Sequence, residues 1–364
     1  EFPEVFSNGG FNCILGNPPY LGGTKISTYN SKSYFEFIRY TYYPAAGRCD
    51  LAGYFVRRIS NINKAKGFLS LIVTNTISEG DTREGSLDYI LLNGNSINYS
   101  YKSMAWPGQA NVIITLITIF KGEWKGQLIL QNNIVELINA YLTTDTIIGN
   151  PNRLLQNKDI AAMGSSITGD GFILTQHEKD TLIANNPSNN EIIFSYLNGK
   201  DFNKSINQTS ERYIINFFDW NLEKAKKFPE CYLRIEELVK PERETKSKEV
   251  SEAPWWQYWR LRKELYDNII NFERVLVHTR ATKTHGFCFT SPGQVFTDAL
   301  IVFAYDKYSY FSILQSSMHD NWAWQFSSSL KTDRRYSVSD CFRTFPFPQN
   351  LSIETESELE QIGE

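Results

Sequence analysis

Residues 11–20 read FNCILGNPPY: a short apolar run, a glycine, then an amide side chain, two consecutive prolines and an aromatic ring. Proline has no backbone N–H, so residues 17–20 cannot extend a sheet ladder. A residue that precedes proline is pushed toward extended geometry, which stiffens both Asn17 and Pro18. The loop is therefore built to present acceptors and a ring. The Asn17 amide oxygen and a proline carbonyl can together accept both hydrogens of an exocyclic amino group. A nitrogen held this way rehybridises and turns its lone pair toward an electrophile. No strong base is needed, because the methylated product is acidic and loses its proton easily. Tyr20 supplies a face on which a planar ring can stack. These residues suit methylation of a planar amine or amide by S-adenosylmethionine. A stiff turn is the plainer reading of the same four residues. Their position, directly after a strand and before a helix, favours chemistry, but the motif does not choose the substrate.

The 364 residues fit two domains better than one. A 41% hydrophobic and 21% charged composition is that of a chain with real cores. The net charge of −3 gives no general attraction for nucleic acid, but it is unevenly spread. Five glutamates and no basic residue fall in the last fourteen positions, and without them the body turns slightly positive. Five widely spaced cysteines suggest free thiols in a reducing compartment. No apolar run is long enough to span a membrane, and no signal peptide is visible. The chain begins at Glu1, which suggests a piece of something longer.

Strand and helix patterns alternate over the first 125 residues. Residues 11–15 read as a short buried strand, 50–66 as a helix with Leu51, Tyr54, Phe55, Ile59 and Ile62 at helical spacing that Gly67 would end, and 68–75 as the next strand. A helix follows over 87–92, then two strands joined by AWPGQA, a Pro-Gly turn. This order predicts an α/β fold: the C-terminal half of a doubly wound sheet, parallel and closed by a terminal hairpin. Residues 129–350 look like a second, α+β domain of short strands and polar loops. Residues 351–364 look like a frayed acidic tail.

FNCILGNPPY resembles the signature of amino-group methyltransferases, above all the N6-adenine DNA class. The blocks EFPEVF, GFLSLIVTN, WPGQANVIITLITIFKG, MGSSITGDGFILT, YLNGKDFN and RRYSVSDCFRTFPFP together resemble type IIG, MmeI-like restriction–modification proteins across residues 1–348. The resemblance implies a partial Rossmann-like methyltransferase domain over 1–128 and a target-recognition domain over 129–350. It further implies a prokaryotic, cytoplasmic protein that acts on double-stranded DNA. Asn17, Pro18 and Tyr20 would then hold and stack a flipped adenine, Pro19 would shape the loop, and Trp106 would pack on the base from another side. Asp50 would lie near the cofactor, although an aspartate that opens a helix is commonly a cap. In that family the cofactor loop and the nuclease domain precede NPPY, and neither is found here. The resemblance thus implies that S-adenosylmethionine is bound mainly by an N-terminal remainder, and that this piece alone is inactive.

The strongest DNA-contact stretch is SSLKTDRRYSVSD (328–340), where Lys331, Arg334 and Arg335 are interleaved with Tyr336 and Ser337. Arg280 and Lys283 in HTRATKTHGF form a second candidate. His285 and Cys288 lack a further ligand pair, so the expectation there is structural and no metal site is assigned. WWQYWRLR (255–262) reads as core, and 222–248 as a solvated helical face. Two alternatives stay open: methylation of RNA or protein, and a DNA specificity module without chemistry of its own.

Overall fold

The computed structural model describes residues 2–45, 47–107, 109, 112–146, 149–330 and 333–364, with side chains omitted at 329–330. It forms two compact units. The first comprises Glu1–Pro151 with Ser327–Asp333, and the second Asn152–Phe326 with Arg334–Glu364.

The first unit is a six-stranded mixed sheet in the order β1-β2-β4-β3-β5-β6. Its strands are β1 (Phe11–Gly16), β2 (Asn63–Thr74), β3 (Ser96–Ala105), β4 (Ile113–Phe120), β5 (Leu128–Leu130) and β6 (Asn133–Val135). β1 and β2 run parallel, and β4 is antiparallel to both β2 and β3. The expected parallel pair with a terminal hairpin is present. One face is packed: Ala52, Val56 and Ile59 of the helix Leu51–Ile62 meet Leu69, Leu71 and Val73 of β2 and Ile117 and Ile119 of β4. These alternate residues point inward because strand side chains have a period of two.

Four expectations need correcting in this fold. β1 is not buried: it is an edge strand whose Phe11 meets the rings of Phe2 and Phe6 and whose Ile14 packs on the core, but Leu15 is 75% exposed. Gly67 does not end the helix, which stops at Ile62; it lies within β2. A Cβ there would sit 2.9–3.0 Å from the carbonyls of Lys64, Asn12 and Phe11, so only glycine allows β1 to approach. The first unit also runs past residue 128 to Pro151, because β5 pairs with β3, β6 pairs with β5, and Leu130, Ile138 and Leu142 join the same core. Finally, the acidic tail is not frayed. Residues Ile353–Gly363 form a helix capped by Ser352, and Glu360 accepts the Tyr308 and Ser309 amides at 3.0 and 3.1 Å.

The second unit holds two four-stranded sheets, β14-β9-β10-β8 and β13-β11-β15-β7. Here β7 is Ala161–Met163, β8 Ile173–Leu174, β9 Ile193–Leu197 and β10 Tyr213–Ile215; β11 is Val275–Thr279, β12 Ala281–Thr282, β13 Phe287–Thr290, β14 Gln294–Phe296 and β15 Leu300–Phe303. The 222–248 stretch is several short helices rather than one, and Cys231, Tyr232 and Ile235 turn into the core. Trp255 and Trp256 pack against that core, with the Trp256 indole N–H donating to the Trp220 carbonyl at 2.9 Å. Cys13 on β1 is exposed, whereas Cys49, Cys231 and Cys341 are buried, and none of the five cysteines forms a disulfide. Among the described residues, no helix is long and apolar enough to cross a membrane.

Candidate active site and nucleic-acid interface

β3 is antiparallel to β4, which is itself antiparallel to β2, so the C-terminal ends of β1, β2 and β3 share one edge of the sheet. Ligands of open α/β sheets bind at such strand ends. Residues 17–20 leave β1 there, Asn75 follows β2, and Trp106 follows β3. Asn17 is exposed, and no described residue hydrogen-bonds its carboxamide. Pro18 is buried and anchors the loop, while Pro19 is exposed. The Tyr20 hydroxyl donates to the Ile72 carbonyl of β2 at 3.2 Å, which fixes a ring left 37% exposed. Desolvation pushes this phenol above its ordinary pKa, so it remains a neutral donor. Trp106 is half-buried, and its amide donates to the Val112 carbonyl at 3.0 Å.

Below this edge, the uncovered sheet face forms an open cleft of about 490 Å³. Leu15, Asn17, Ile72, Tyr99, Leu116 and Thr118 are among its lining residues.

Asp50 does not fit the role of a cofactor ligand. It is buried, and its carboxylate accepts the Ala52 amide at 2.9 Å as the cap of the helix Leu51–Ile62. Burial raises its pKa, opposed by hydrogen bonds from the backbone of Ala52 and Leu21. The Leu51 amide in turn donates to the Leu21 carbonyl at 2.9 Å. Asp50 thus ties the exit of the NPPY loop to the helix.

The 328–340 candidates separate by strand alternation. Residues Asp333–Arg335 form a short strand that pairs with β12, Arg335 opposite Ala281 and Arg334 opposite Thr282. Arg335 is exposed, but Arg334 and Tyr336, both offered as DNA contacts, point inward at 1% and 2% exposure. The Arg334 guanidinium pairs with Asp320 and reaches His285 Nδ1 at 2.7 Å. The Tyr336 hydroxyl is 2.9 Å from His319 Nε2. The Ser337 hydroxyl donates to Asp340 at 2.8 Å and caps the following turn. Lys331 lies outside the described residues.

Arg280 is half-buried and Lys283 exposed. Desolvation lowers the Arg280 pKa, and Arg335 and Arg262 lower it further, so these three cations lie within electrostatic reach of one another. Arg262 gives no signal in the sequence because it ends a tryptophan-rich stretch that reads as core. His278 and His319 are fully buried and belong to the packing around Phe287, Phe345 and Tyr336. Among the described residues, no three His, Cys, Asp or Glu side chains gather as metal ligands.

Comparison with known proteins gives a consistent outcome. Residues 1–103 match the Eco57I restriction-modification methylase family, and residues 143–349 match the MmeI target recognition domain. DNA methyltransferase A of Bacillus subtilis (strain 168) is 24% identical over 362 residues, 96% of this chain and 40% of that protein. The type IIL restriction-modification enzyme MmeI, solved in complex with DNA, superposes with a TM-score of 0.80 at 20% identity, covering 96% of this chain and 48% of that one. Fold and motif together define the class: a restriction–modification methylase joined to a target recognition domain. Within that class, with more than half of its residues matched, the chain belongs to the MmeI target recognition domain family. It spans less than half the length of either relative.

Proposed function

We propose that this chain is part of a site-specific DNA adenine-N6 methyltransferase: the C-terminal half of the methyl-transfer domain and the DNA reader. The observation that carries this reading is Asn17, exposed and without a partner among the described residues at the C-terminal edge of the sheet, beside a tyrosine ring pinned to Ile72. An adenine inside a duplex cannot reach such a loop, so it must be flipped out at a cost of a few kcal/mol. Stacking on Tyr20 and Trp106 offsets this by about 1–3 kcal/mol per contact. The Asn17 oxygen and the Pro18 carbonyl accept the two N6 hydrogens and aim the nitrogen lone pair. S-adenosylmethionine supplies the methyl group in this reading. Asp50 is spent on a cap, so in this reading an N-terminal remainder would bind the cofactor and cover the open sheet face. The same two observations favour a second reading for the isolated chain, that of a DNA specificity module without catalysis.

The test is to express the full-length protein, with and without Asn17→Ala, in a host lacking adenine methylation, and then to map N6-methyladenine across the host DNA. One short motif modified by the wild type alone is expected. Absence of any modified motif would overturn the adenine reading. A salt titration of duplex binding tests the reader: affinity should fall steeply as salt rises.

A further inference from the structure

β3 does not run straight to Trp106. Its register against β4 slips between Tyr101 and Met104, so Lys102 and Ser103 together oppose Thr115, and Ser103 adopts a left-handed backbone with φ 62°. Such a bulge bends and twists the strand and re-aims the residues beyond it. A non-glycine residue in this conformation costs about 1–2 kcal/mol and persists only where its surroundings hold it.

Two amide side chains hold this bulge from opposite sides. Asn75, buried at the end of β2, accepts the Ser103 amide at 3.2 Å and the Thr115 hydroxyl at 2.7 Å through Oδ1. Its Nδ2 donates to Ser103 Oγ at 2.8 Å. Across β3, Gln131 accepts the Lys102 amide at 3.1 Å and donates to the Lys102 carbonyl at 3.0 Å. The backbone at 102–103 is thus clasped three residues before Trp106. Asn75 also leaves the strand whose Ile72 carbonyl fixes Tyr20.

We propose that Asn75 is a positioning residue: by holding the Ser103 bulge it fixes the direction in which β3 delivers Trp106 to the sheet edge shared with Asn17 and Tyr20. Gln131 secures the same bulge from the solvent side. The proposal rests on the methyl-transfer reading only for its catalytic consequence, because the clasp itself is a property of the fold.

The test uses 5-fluorotryptophan labelling of this chain and ¹⁹F NMR, with the Trp106 resonance assigned by Trp106→Phe. Asn75→Ala should shift and broaden the Trp106 line while the second-unit tryptophans stay in place. Asn75→Asp, which keeps the Oδ1 acceptor of the Ser103 amide and the Thr115 hydroxyl and turns the Nδ2 donor into an acceptor for Ser103 Oγ–H, should restore most of the line. In single-turnover methylation by the full-length enzyme, Asn75→Ala should lower kcat on the order of 10- to 100-fold with KM for DNA little changed. An unmoved Trp106 line in Asn75→Ala overturns the proposal. If that variant unfolds and every line collapses, the exposed Gln131→Ala decides: a shift of the Trp106 line with the second-unit tryptophans in place upholds the clasp, and an unmoved Trp106 line overturns it. Trp106→Ala separates the two readings. If it methylates normally while Asn75→Ala still moves the line, the stacking role falls and the clasp stands.

Discussion

The loop at residues 17–20 and the basic run at 333–337 look alike in the sequence, each a dense cluster of groups suited to nucleic acid. In the fold they part company. The proline-laden loop cannot enter a ladder, so it stays outside and keeps Asn17 exposed. The basic run can enter one, and does. Strand alternation then divides it, with Arg335 out and Arg334 and Tyr336 in. A cluster of polar residues whose backbone can be paired is divided between surface and core, whereas one that cannot be paired stays outside the sheet.

The sharpest way to break that contrast is Arg334→Ala. It empties the buried space that the guanidinium fills between Asp320 and His285 and should destabilise the second unit by about 2 kcal/mol, measured by denaturant unfolding. A neutral result with a large loss of DNA affinity would put Arg334 back on the surface. Next comes pH. All four histidines lie in the second unit, and burial pushes His278 and His319 down to about 3. Their folded values lie below the ordinary one near 6.5, so their contribution is fully present above that pH and is lost as pH falls toward 3. Each ring adds up to about 1.4 kcal/mol per pH unit in that window. Hydrogen exchange between pH 7 and 5 should therefore show the second unit loosening ahead of the first; equal loosening of both would refute it. On the loop side, Tyr20→Phe removes only the bond to Ile72 and should cost about 1 kcal/mol in transition-state stabilisation, read as kcat/KM. Smallest is Arg335→Ala, expected to reduce the salt slope of duplex binding by about one and to weaken all sequences alike. A loss confined to one base position would make Arg335 a reader instead.

Much of the first unit is legible in its residues: a strand before NPPY, a helix that opens at Leu51, and the antiparallel pair of strands around Trp106 all follow from local periodicity, while the AWPGQA turn lies partly outside the described residues. The hidden parts depend on distant partners. The apolar content of FNCIL shows that the strand seeks apolar contact, but not that the described chain leaves Leu15 uncovered. Gly67 looks like a helix stop until β1 is placed against it. The glutamates of the last helix find their partners, Lys307 and the Tyr308 and Ser309 amides, some fifty residues upstream. Asn75 gives no signal beyond a polar stop after an apolar run, because its role lies in a bulge that only cross-strand register reveals.

The uncovered edge strand also carries a thiol. Cys13 is accessible on β1, while Cys49, Cys231 and Cys341 are enclosed. Brief alkylation followed by mass spectrometry thus turns this strand into a footprint: any polypeptide seated along β1 shields one cysteine and leaves the buried three as internal standards.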